Sequence, residues 1–261
     1  MDYKHIISEF ENGICTLWLN RREVHNAFND EMIDEIIDQL GALTDDPNCL
    51  VLILRGKGPS FCAGADLNWM KAVLHYTYEE NLQESLQLSK CFSLIYTFPK
   101  PTIAIVHGAA IGGANGFIAA CDFVLAHSDA IFSLSEVKIG IIPACISPYI
   151  IKRVGEFPAR ALMLSGKRIK GSYAEKIGLA NFSGDEIEVE AEFNELLGQL
   201  LTSGPQALAQ CKKLINHVAN HWTLEEAILN TAKMIAEIRL SEEGQEGMKA
   251  FLQKRKPKWT E

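Results

Sequence analysis

His107-Gly108-Ala109-Ala110-Ile111-Gly112-Gly113-Ala114-Asn115-Gly116-Phe117 follows directly on Thr102-Ile103-Ala104-Ile105-Val106, and the passage from one to the other decides the fold. The apolar, β-branched run reads as a buried strand. The glycines then mark a corner at which the chain turns into a helix. Glycine permits φ > 0 there and lets a ligand approach bare backbone, while the new helix begins with unpaired N–H groups and a partial positive charge. The same grammar occurs earlier, where Leu50-Val51-Leu52-Ile53-Leu54 leads to Phe61-Cys62-Ala63-Gly64-Ala65-Asp66-Leu67. Two such corners facing each other can bind an oxyanion.

Outward from the corners the pattern alternates between strand and helix periods. Ile14 to Leu19 reads as a strand, and Asn29 or Asp30 caps a helix whose Met32, Ile33, Ile36, Ile37, Leu40 and Leu43 form a core stripe. Glu79 to Phe98 is helical and is ended by Pro99 and Pro101, while Cys121 to Ala126 and Ala130 to Ser133 read as short strands. From Ser147 the chain is mainly helical. Repeated βα alternation implies an α/β fold, with sheets covered by helices. A break at Ser203-Gly204-Pro205 divides a core, residues 1–203, from a helical region, 204–261, in which Leu208 to Ala219 and Thr223 to Leu240 are amphipathic. Such faces need a partner surface.

Composition narrows the class. The 261 residues suffice for one large α/β domain, or a domain with an appendage. The seven cysteines are scattered without a C-x-x-C pair or metal-spaced histidines, which indicates neither a metal site nor a disulfide framework and suits a reducing, cytoplasmic compartment. Met1-Asp2-Tyr3-Lys4-His5 does not open a secretory signal, and no apolar run is long enough for a membrane span. A net charge of -8 argues against nucleic acid as the main partner. The one basic cluster is Lys254-Arg255-Lys256 with Lys258.

The two corners are followed by Ser133-Leu134-Ser135-Glu136-Val137-Lys138-Ile139-Gly140-Ile141-Ile142-Pro143, and the three together resemble the crotonase superfamily of enoyl-CoA hydratases and isomerases. In that family the motifs run roughly F-x-A-G-A-D-L, N-G-x-x-x-G-G-G and P-E-x-x-x-G-x-x-P. The likeness extends from Asn20 to Pro257. It implies a spiral of ββα turns and a C-terminal helical region that builds trimers, commonly stacked as hexamers. It also implies an acyl-CoA substrate, with coenzyme A as part of that substrate and no separate cofactor. Ala63, Ala65, Asp66 and Leu67 would line the CoA, and Lys254 would lie near its phosphates.

Hydration of an α,β-unsaturated thioester places negative charge on the thioester oxygen, so the largest catalytic contribution is a pair of preorganised N–H donors aimed at it. By position in the motifs these are the backbone N–H groups of Ala65 and Gly113. Proton transfer calls for a buried carboxylate, and Glu136, between Leu134 and Val137, is the candidate. The best-known hydratases carry a second glutamate where this chain has Gly116. Three readings stand: Glu136 acts alone, helped by a polar group such as Asn115; the substrate brings its own carboxylate into room left at Gly116; or the site performs only a proton shift. Asn115 is read as a helix cap or as an accessory catalytic or water-holding residue. His107 is read as a buried structural histidine. The run from Ser135 to Tyr149 resembles the bacterial methylglutaconyl-CoA hydratase-like branch, so the expectation is hydration of a branched, carboxylate-bearing enoyl-CoA. The alternatives are a Δ3,Δ2-enoyl-CoA isomerase, a generic enoyl-CoA hydratase, or a non-catalytic acyl-CoA- or RNA-binding scaffold.

Overall fold

The computed structural model describes residues 3–260 and divides into two compact units. The first runs up to Phe98 and includes Thr102–Phe193; the second comprises Pro99–Pro101 and the chain from Asn194.

The first unit holds the strands β1 (Ile6–Glu11), β2 (Ile14–Leu19), β3 (Val51–Gly56), β4 (Thr102–Val106), β5 (Ala109–Ile111), β6 (Phe123–His127), β7 (Ile131–Ser133), β8 (Ile169–Lys170) and β9 (Phe182–Gly184). β1 and β2 form an antiparallel hairpin around Asn12-Gly13, whose φ values of 49° and 83° are those an Asn-Gly turn provides. β2, β3, β4, β6 and β9 then add in parallel, giving the order β1-β2-β3-β4-β6-β9. Every residue of β4 is buried, as expected of a parallel strand covered on both faces.

A smaller sheet, β5-β7-β8, accompanies the large one. The chain passes from β4 in the large sheet to β5 in the small one, through a helix, and back to β6 before entering β7. Earlier passes repeat this with single bridging residues, Phe28 with Ala65 and Cys62 with Ala110. This is a spiral whose second strand in each turn is only one to three residues long.

Helices close the turns: α1 (Asp30–Thr44), α2 (Leu67–Val73), α3 (Tyr78–Tyr96), α4 (Ala114–Ala120), α5 (Ser147–Val154), α6 (Glu156–Ser165) and α7 (Gly171–Lys176). Asn29 caps α1 by accepting from Met32 N–H, and a Thr77/Glu80 capping box starts α3. α4 is buried at all its positions. α8 (Glu186–Leu201) carries the chain from one unit into the other. The second unit continues with α9 (Pro205–Asn220), α10 (Leu224–Leu240) and α11 (Glu242–Leu252). Glu243 of α11 caps α9 by accepting from the N–H groups of Gln206 and Ala207 at 3.0 and 2.8 Å. β1, β5, β8, β9 and α11 are elements that the sequence pattern did not reveal, and Glu136 opens a 3₁₀ turn.

Candidate active site

The first corner is held by the bridge between Phe28 and Ala65. Phe28 N–H donates to Gly64 O at 2.9 Å and Asp66 N–H donates to Phe28 O at 2.9 Å. This pairing engages the neighbours of Ala65 and leaves its own N–H pointing elsewhere. The second corner lies alongside, since Cys62 N–H donates to Ala109 O at 2.9 Å and Ile111 N–H donates to Cys62 O at 3.1 Å. A Cβ on Gly64, at φ 97°, would meet the Ile111 carbonyl oxygen at 2.8 Å, so only glycine permits the approach. The N–H groups of Ala65 and Gly113 meet no acceptor among the described residues.

An aromatic ring sets the floor. A Cβ on Gly113 would lie 2.6 Å from Cζ of Phe28. Phe28 in turn stands edge-on to Phe117 and to Trp69, each with ring centroids 5.6 Å apart.

Asp66 is 5% exposed and caps α2, its Oδ1 accepting from Asn68 and Trp69 N–H at 2.7 and 3.2 Å. Its Oδ2 pairs with Arg21 Nη2 at 2.9 Å. Burial pushes its carboxyl up, but the two N–H donors and the guanidinium outweigh that and hold it below the usual range. Leu67 is exposed, and the Ala63 N–H donates to His25 O at 2.9 Å. Arg21 also donates to Ala27 O. Fully buried Asn26 donates to Lys57 O and Ser60 O, each at 2.8 Å. His25 and Asn26 are both left-handed, at φ 53° and 57°. That conformation costs about 1–2 kcal/mol per residue, and these bonds hold it. Arg21, Asn26 and Phe28 are supports that the sequence reading missed. Only Asn26, a residue type that tolerates the left-handed region, left a local sign.

Glu136 follows β7. Its Oε1 lies 3.2 Å from a Cβ built on Gly112, which sets the carboxylate against the second corner. Its Oε2 is buried and meets no partner among the described residues. Burial raises the Glu136 pKa, offset in part by its own backbone N–H. A half-buried carboxylate beside two open N–H donors is equipped for proton transfer.

Asn115 neither caps a helix nor meets solvent. α4 starts from Gly113, and the fully buried Asn115 Nδ2 donates to the carbonyls of Ala110, Gly112 and Ser133 at 3.1, 3.0 and 3.1 Å. It thereby fastens the second corner to the strand that leads to Glu136. Gly116 offers no room. A Cβ there would lie 2.6 Å from both Phe92 Cζ and Ile146 Cγ2, so those side chains occupy the space expected for a substrate carboxylate. His107 Nε2 bonds the Gly58 carbonyl at 2.8 Å, as a structural histidine would, but the residue is only half-buried and not buried as the sequence suggested. Lys254 is an exposed residue of the second unit at φ 54°.

No disulfide joins any of the seven cysteines, and no group of three or more metal-binding side chains occurs among the described residues. No helix among them is long and apolar enough to cross a membrane.

A family model described as enoyl-CoA hydratase/isomerase matches residues 9–261. The chain is 33% identical over 258 residues to the crotonyl-CoA hydratase of Syntrophomonas wolfei subsp. wolfei, covering 98% of each. It superposes on the crystal structure of an enoyl-CoA hydratase from Shewanella pealeana with a TM-score of 0.94 at 38% identity, over 98% of this chain and 96% of that one. On Pseudomonas aeruginosa AtuE the TM-score is 0.95 at 32% identity, over 99% and 100%.

Proposed function

Because the chain belongs to the enoyl-CoA hydratase/isomerase family and has the crotonase fold, we propose that it adds water to the conjugated double bond of an enoyl-CoA, with Glu136 as its single protonic group. The observation that carries this reading is the buried, unpartnered Oε2 of Glu136 beside the open N–H groups of Ala65 and Gly113. In the reaction Glu136 takes a proton from water as its oxygen bonds to the β-carbon. The electron pair of the double bond moves toward the thioester, whose oxygen gains negative charge between the two N–H donors. Glu136 then returns the proton to the α-carbon. One carboxylate thus serves as base and acid, and no second carboxylate is required at Gly116.

For the acyl group we retain the methylglutaconyl type, branched with a distal carboxylate, on the strength of the run from Ser135 to Tyr149. Ala63, Ala65, Asp66 and Leu67 would then border the CoA moiety, with no further cofactor. We place the enzyme in the cytoplasm, as trimers or hexamers. Absorbance of the conjugated thioester provides the test. Hydration removes it, isomerisation toward conjugation raises it, and a non-catalytic scaffold leaves it unchanged. A panel with and without a distal carboxylate then ranks acyl groups, and a methylglutaconyl-type substrate should exceed crotonyl-CoA by about tenfold in kcat/KM.

A further inference from the structure

Trp69 Nε1 is buried and meets no acceptor among the described residues. Folded proteins leave few such donors unpaired, and each calls for an explanation. α2 follows the first corner, Asp66 Oδ1 holds the Trp69 backbone N–H at 3.2 Å, and the indole packs edge-on against Phe28, the ring that backs Gly113. Trp69 also lines a cavity of about 500 Å³ whose other apolar residues include Ile33 and Leu88. The reaction described above does not use the indole.

The geometry points to Trp69 as a specificity-determining residue, its indole N–H donating to an oxygen acceptor on the acyl group beyond the conjugated bond. The inference rests on the enoyl-CoA reading and extends it to the acyl chain. Carboxylates of the cavity qualify which acceptor is favoured. Asp34 is engaged by Gln87 Nε2 at 2.7 Å and Glu80 caps its own helix, but Asp30, Glu79 and Glu84 also line the cavity. A charged acceptor meets repulsion there that salt screens, whereas a neutral one does not.

The test is Trp69→Phe, which keeps a ring against Phe28 and removes the donor. Three substrates are compared: crotonyl-CoA, a glutaconyl-type acyl-CoA with a free distal carboxylate, and its methyl ester. The expected result is a loss of about tenfold in kcat/KM on at least one acceptor-bearing substrate with little change on crotonyl-CoA. A larger loss on the carboxylate, with a preference that grows with ionic strength, identifies a charged acceptor; a larger loss on the ester identifies a neutral one. Equal loss on all three, or none, overturns the inference while leaving the enoyl-CoA reading intact. A wild type that hydrates none of them removes both. Should the variant fail to fold, ¹⁵N-labelled wild type gives a second readout from its four indole N–H signals. One of them should move with saturated glutaryl-CoA or its methyl ester but not with butyryl-CoA. No discriminating signal overturns the inference.

Discussion

At the scale of the residue, the site turns on a carboxylate kept from its usual partners. Among the described residues the buried Oε2 of Glu136 meets no partner, and burial raises its pKa. As the base it must be ionised, so kcat/KM should fall on the acid side with a midpoint above the usual carboxylate range. Stability should run the opposite way. The native state binds this proton more tightly than the unfolded chain, so the contribution is complete below the unfolded pKa and is lost as pH rises through the folded one. Glu136→Gln should therefore abolish the acid limb and cost about 10² to 10⁴ in kcat, while thermal unfolding at neutral pH shows a protein at least as stable as the wild type. A variant that keeps half its activity would remove Glu136 from the mechanism. The corners that carry Ala65 and Gly113, and the stretch that carries Glu136, were legible because they match the family's motifs in order. Arg21, Phe28 and Trp69 were not, because their partners lie far off in sequence and nothing local announces them.

At the scale of the element, α4 explains why this chain has one glutamate. The helix is buried on every side, with Phe92 of α3 and Ile146 pressed against Gly116. The sequence suggested that a missing side chain leaves space; instead, neighbouring side chains fill it. Gly116→Glu should accordingly fail as an added acid. Gly116→Ala alone should lower stability by about 1–3 kcal/mol through overpacking, and Phe92→Leu in the same chain should recover part of that loss. Additive losses in chemical denaturation would show that Phe92 is not the obstacle. Long elements such as α1 and β4 carried their period openly. β5, β8 and β9 are two or three residues long, too short for any period to register, and β1 is an edge strand whose outer half is exposed.

At the scale of the molecule, the spiral escaped the sequence for the same reason, since a turn whose second strand is a single bridging residue has no repeat to detect. The second unit was easier to read, because its helices are long and amphipathic. Taken by itself it leaves Ile215, Ile228, Leu229, Ile235, Leu240 and Phe251 exposed. Four of these lie on α10, and exposed apolar side chains concentrated on one helix mark an interface. Self-association is the economical way to cover it, because a closed ring of identical chains needs no other partner. The wild type should sediment as a trimer or hexamer at micromolar concentration. Ile228→Lys with Ile235→Lys changes only exposed positions, so it should preserve the helical circular dichroism while shifting the protein toward monomer. A wild type that sediments as a monomer, or a doubly substituted chain that assembles unchanged, would place the partner surface elsewhere and leave the exposed face of α10 to another ligand.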